Sequence, residues 1–336
     1  MTAQRAVEDK QDYFRLITFW VICEAFAGGI IHAIKLPFSG MIVGSFAVFC
    51  IVMIGKHFPG KGNILKATIL VCIFKLMLSP HSPPTAYLAV LFQGTIGELL
   101  FRLKLPLKIT AILIAFLALV ESSVQRILVL WLLYGKDFWD AVGRYLEKFS
   151  QGGGAGSIPE KVALAYIGFH ALFGLVAGYY FAILASGAGK NELRFSSSSP
   201  SALHELPKRK GRKKIRWFFI LLWLILAALL AYGYAYPQKA LLSGNSALWI
   251  LFRALSILLV WYFIISPLVM KLLKRRLELS KTKQLEGFIS VQNLLPSTGE
   301  IFFRSWEFSS QRKGLARVFR FLKILSANMV PQKQSG

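Results

Sequence analysis

Eight ionisable side chains lie inside apolar stretches of this chain: Glu24, His32, Lys75, Glu98, Glu121, Arg126, His170 and Arg253. Such groups are costly to hold in apolar surroundings and usually face an interior or a water-filled cavity, where they can bind ions or solutes. Glu121 and Gln125 are four residues apart, as are Ser122 and Arg126, so adjacent stripes of one helix present a polar patch. A second patch arises where Ala86, Ala89, Gln93 and Gly97 share one helical face and Tyr87, Gly94 and Glu98 the next. Ligand capture is the chemistry within reach, with Gln93, Glu121, Gln125 and Arg126 as polar contacts and Tyr87 or Phe92 as a stacking surface. The same polar groups serve equally well as a network that locks helices together, and the small residues as close-packing surfaces.

Bond-making chemistry finds no such support. His32, His57, His81, His170 and His204 are scattered without the spacing of a metal site, so no metal is expected. A Gly-rich phosphate loop with Lys-Ser or Lys-Thr is missing from the sequence, as is a nucleophile paired with a base. The chain therefore reads as a non-enzyme without a cofactor, and any ATP-derived energy would come from other subunits.

The elements that must position these residues are apolar helices. Trp217 to Tyr236 contains no charge, and the preceding block Lys208 to Arg216 carries seven Lys or Arg in nine residues. About 20 apolar residues in a helix cross a bilayer core, and basic flanks stay on the cytoplasmic side. The sequence is 55% hydrophobic with a mean hydropathy of +0.54, too apolar for a water-soluble surface of 336 residues. Its net charge of +24 clusters beside apolar segments, which points to anionic lipid headgroups and not to nucleic acid. Cys23, Cys50 and Cys72 lie within apolar runs and read as packing residues. The acidic start, Glu8, Asp9 and Asp12, and the lack of a cleavage pattern make the first apolar helix its own insertion signal.

Eight spans are predicted: Tyr13–Ile34, Ser39–Ile54, Ile64–Leu78, Thr85–Phe101, Ile109–Tyr134, Val162–Leu184, Trp217–Tyr236 and Ala247–Met270. Prolines in the 79–84 connector end the third span. Between the fifth and sixth, Phe138, Trp139, Val142, Tyr145, Leu146 and Phe149 recur among charges, as in a separate helix lying in the membrane interface. Loops 56–66, 102–108 and 187–216 are basic and loops 35–39, 79–84 and 237–246 are not, which places both termini in the cytoplasm. Expected units are a six-helix membrane bundle (1–186), a polar and basic linker (187–214), a transmembrane helical hairpin (215–273) and a cytoplasmic basic amphipathic tail (274–336). The fold class is thus an all-α polytopic membrane protein.

Three segments carry a resemblance: Leu36-Pro37-Phe38-Ser39-Gly40-Met41-Ile42-Val43-Gly44, then Leu76-Met77-Leu78-Ser79-Pro80, then Ala86-Tyr87-Leu88-Ala89-Val90-Leu91-Phe92-Gln93-Gly94. The chain resembles here the substrate-binding membrane subunits of energy-coupling-factor transporters, including the related cobalt/nickel-uptake subunits. The likeness covers residues 1–186. It implies a six-helix bundle in a bacterial inner membrane that captures a small solute beneath the 35–39 and 79–84 connectors. It also implies a membrane coupling subunit and cytoplasmic ATPases as partners, contacted through the stripe Ala25, Gly29 and Ala33. The metal-uptake subunits begin with Met-His and carry a His after Ser-Gly, where this chain has Met1-Thr2 and Met41.

Residues 300–330 mix Phe302, Phe303, Trp306, Phe308, Phe319 and Phe321 with Arg304, Arg312, Lys313, Arg317, Arg320 and Lys323. Such a basic amphipathic segment is expected to lie on the inner leaflet, against anionic lipid. A sharper reading is that Gln311-Arg312-Lys313-Gly314-Leu315, with Arg317, resembles a coupling helix that engages ATPases. The competing function class is a non-transporting scaffold or assembly factor that recruits a cytoplasmic partner through this tail.

Overall fold

The computed structural model describes residues 2–27, 38–79, 82, 84–147, 158–187 and 283–330, with isolated helical positions between 221 and 268. His32, Gly29, Ala33, Arg253, the glycine run 152–156, residues 35–37, 80, 81 and 83 of the two connectors, residues 188–214 and most of the 215–273 segment lie outside the described residues.

What is described is helical, with no strand among those residues. The elements are α1 (Thr2–Ile22), running into a π-helical turn (Cys23–Ala27), α2 (Ser39–His57), α3 (Asn63–Leu78), α4 (Pro84–Arg102), α5 (Leu107–Glu147), α6 (Ile158–Gly187), α7 (Lys283–Phe308) and α8 (Gly314–Met329). A short 3-10 turn, Ser309–Gln311, joins the last two. By length and composition three helical stretches are able to cross a membrane: Ser39–His57, Leu107–Leu132 and Glu160–Gly187. Fewer described helices reach that standard than the expected six. α3 has 16 residues, a length of roughly 24 Å at 1.5 Å per residue. α4 carries Glu98 and Arg102 in its second half, and the first ten residues of α1 are mostly polar.

Two compact units emerge, one of residues 1–125, 163–203 and 282–336 and one of residues 126–162 and 204–281. In the first, Trp20, Phe19, Phe49, Ile51, Met53, Ile114 and Leu119 form a fully buried centre. Glycine lets its helices approach to backbone contact. A Cβ on Gly178 would fall 2.6 Å from the Ala111 carbonyl oxygen, and one on Gly174 2.9 Å from that of Ala115, so α6 lies directly on α5 along a Gly-x-x-x-Gly stripe. Gly94 of α4 leaves room for the Thr68 side chain of α3, whose Oγ1 a Cβ there would approach to 1.9 Å. Gly62, the residue before α3, has φ +83 and needs glycine on conformational grounds.

Basic ends gather on one side of this unit. The His57 ring at the end of α2 sits 3.0 Å from the Ala185 carbonyl near the end of α6, and Lys108 at the start of α5 lies over the Tyr179 ring of α6. In the second unit Trp223 donates its indole N–H to Ser256 Oγ at 2.8 Å and stacks on Phe252.

Three expectations need correction. No separate interfacial helix follows the fifth apolar stretch, because α5 runs unbroken for 41 residues to Glu147. It contains no proline, and one glycine such as Gly135 costs about 1 kcal/mol relative to alanine, which a long helix absorbs. α1 begins at Thr2 and not at Tyr13, its polar start tied down by ion pairs of Lys10 with Glu286 and Arg15 with Asp12. The tail is two helices that pack on the bundle, where one amphipathic segment was expected. Phe288 stacks on Phe74 at 4.6 Å, Phe302 meets Phe19, and Phe321, Leu325, Met329 and Val330 join the central cluster.

Candidate functional site

Three polar clusters form within the first unit, and each contains residues singled out above. The first surrounds the small-residue face of α2. Gly40 and Gly44 are one turn apart, and a Cβ on Gly40 would come 2.3 Å from Ser122 Oγ, one on Gly44 3.2 Å from Leu119 and 3.4 Å from the Gln93 amide nitrogen. Helices α2, α4 and α5 therefore converge here without bulky side chains between them. Gln93 is buried, and among the described residues its carbonyl oxygen meets no hydrogen-bond donor; the same holds for one carboxylate oxygen of the half-buried Glu121. Buried acceptors without donors cost about 1 to 3 kcal/mol each, so the site is chemically unfinished. It presents acceptors, suited to a ligand that brings N–H or O–H groups.

Other predicted contacts are deployed differently. Gln125 donates its amide to the Thr85 carbonyl at 2.8 Å and so ties α5 to the first turn of α4. Arg126 follows it on α5, half-buried, as the first residue of the second unit. Phe92 is on the exposed side of α4. Ala25 is buried within the first unit, so this member of the predicted partner stripe faces protein. Arg312 is exposed. Arg317 stacks on Trp306 at 4.1 Å and reaches its carbonyl, so its guanidinium helps close the α7–α8 turn.

At the 79–84 end stands a second cluster that spacing did not connect. Glu24, in the π-helical turn, accepts a hydrogen bond from Lys75 Nζ at 2.5 Å, and the two side chains are 3% and 4% exposed. Lys75 Nζ lies 5.9 Å from the Tyr87 ring centroid, and the Tyr87 hydroxyl donates to the Ser79 carbonyl at 3.3 Å. The residues are 51 positions apart, so no motif joins them. The available signal was two lone charges of opposite sign in neighbouring apolar segments, which stabilise one another only if they meet.

The third cluster reads as structural. Glu98 accepts from the Gly62 backbone N–H at 2.6 Å and from Arg102 at 3.0 Å, anchoring the start of α3. Tyr13 donates to the Asn63 carbonyl beside it. His170 is buried, its Nδ1 2.9 Å from the Tyr166 carbonyl one turn earlier, against Phe38 and Tyr166. Among the described residues no three His, Cys, Asp or Glu come together as a metal-binding group. Comparison with protein families, with curated proteins and with solved structures finds no match to this chain, and its functional reading rests on the geometry alone.

Proposed function

We propose that this protein is a membrane subunit that captures a small solute for uptake driven by separate coupling and ATPase subunits. The unfinished acceptor of Gln93, whose amide lies against Gly44, and that of Glu121 on α5 carry this reading. A helix-locking network would pair its buried groups, whereas a capture site keeps some of them for its ligand. Membrane insertion is supported by three long apolar helices and by the exposed Leu164, Leu172 and Val176 of α6, side chains that suit lipid better than water. The basic ends of α2 and α5, both set against the last turns of α6, agree with a cytoplasmic placement of loops 56–66 and 102–108. In this reading the 217–236 and 247–270 segments form an added hairpin, and both termini are cytoplasmic.

Equilibrium binding to the purified protein, with vitamins, nucleobases and metal ions as trial ligands, tests the proposal. One class binds saturably, and Gln93→Ala or Glu121→Ala weakens binding about tenfold, the loss of one hydrogen bond worth about 1.4 kcal/mol. No saturable ligand, with uptake unchanged in both variants, removes the proposal. Co-purification separates the scaffold alternative: ATPase subunits accompany a transporter, and an assembly without ATPases identifies a scaffold.

A further inference from the structure

Of the ion pairs among the described residues, Glu24 with Lys75 alone has both side chains almost closed to solvent. Enclosing two charges is expensive, and an apolar pair of similar volume would hold the helices at least as well, so packing gives little reason for these residues. Glu24 also occupies a π-helical turn, a rare element found mostly at functional sites. The Lys75 ammonium has three N–H donors, and among the described residues Glu24 is the acceptor it reaches, with the face of Tyr87 beyond. Tyr87 stands in the first turn of α4 and is bonded to Ser79, so the cluster lies at the 79–84 connector.

We propose that Glu24, Lys75 and Tyr87 form a binding site for a small zwitterionic solute, its carboxylate on Lys75, its ammonium on Glu24 and its body against the Tyr87 ring. The pair carries no net charge, so an occupant with net charge would leave one buried charge uncompensated. A zwitterion mirrors the pair and leaves none. A cation over an aromatic face adds attraction without needing a further acceptor. This inference rests on the solute-capture reading and moves the solute from the Gln93 and Glu121 acceptors to the Glu24–Lys75 pair.

Full-length protein in detergent, titrated with each of the twenty standard amino acids and with acetate and butylamine, tests it by thermal shift and equilibrium dialysis. At least one amino acid binds saturably, and neither singly charged control does at the same concentration. The variant Glu24→Met/Lys75→Met replaces the pair by apolar volume and weakens that binding at least a hundredfold. Should it fail to fold, Tyr87→Leu leaves the pair in place and weakens binding about tenfold; unaltered affinity in whichever variant folds overturns the site. Saturable binding of a vitamin or nucleobase that is sensitive to Gln93→Ala and indifferent to the pair also overturns it, while solute capture stands. Absence of binding by every compound of every class removes both.

Discussion

Lys75 shows how one side chain answers to two demands, charge balance and helix packing. Truncating either partner of a buried pair strands the other charge, at a cost of about 3 to 5 kcal/mol, whereas replacing both is near neutral. Lys75→Met should therefore lower the thermal midpoint in detergent sharply, and Glu24→Met/Lys75→Met should recover most of the loss. Equal midpoints for the single and double variants would show that the charges do not interact. Gly94 makes a complementary case, since a Cβ there overlaps Thr68 Oγ1. Gly94→Ala should cost about 1 to 3 kcal/mol by overpacking, and Gly94→Ala/Thr68→Ala should relieve it in the same melting measurement. Single residues were the least legible part of the sequence. Gln93 and Glu121 stood out because polar groups are rare in apolar runs. Gln125 looked identical in one dimension, yet its partner is a backbone carbonyl 40 residues away.

Elements were easier to read. Proline and glycine bound the apolar runs of α2, α3 and α4, and their ends fall within three residues of the predicted spans. α5 ran on because Gly135 alone offers no alternative hydrogen-bond pattern to the chain. The tail misled for a different reason: an amphipathic period reports that one face is apolar and cannot say whether lipid or protein covers it. The Gly174 and Gly178 stripe went unread in the sequence, because its partner, Ala111 and Ala115, is evident only in three dimensions. Gly178→Leu would push α5 and α6 apart at a backbone contact. Crosslinking between cysteines placed at Ala111 and at Ala177 should be efficient in the parent and fall severalfold in the Gly178→Leu variant. Unchanged crosslinking would mean that the helices do not meet along this stripe.

For the molecule as a whole, charge asymmetry is the feature the sequence announces most plainly, because hydration and membrane potential act on it without reference to packing. Under the proposed topology, a cysteine introduced into the 237–246 loop reacts with impermeant maleimide from outside intact cells, and one in the 56–66 loop reacts only after lysis. Reversed labelling would overturn the assignment of sides. The tail has a further effect at this scale. Phe302, Phe321, Leu325 and Met329 pack with Phe19 and its neighbours, so the chain's two distant ends share one core. On the ribosome, α1 must then wait until residues 283–329 have been made before its final neighbours emerge. Quality control would meet a half-built intermediate with greasy surface still uncovered, and a premature stop just after Phe308 would be punished far from its own position. Such a product should be cleared by proteases, measurable as a short half-life in pulse-chase labelling, although the three long apolar helices are all intact.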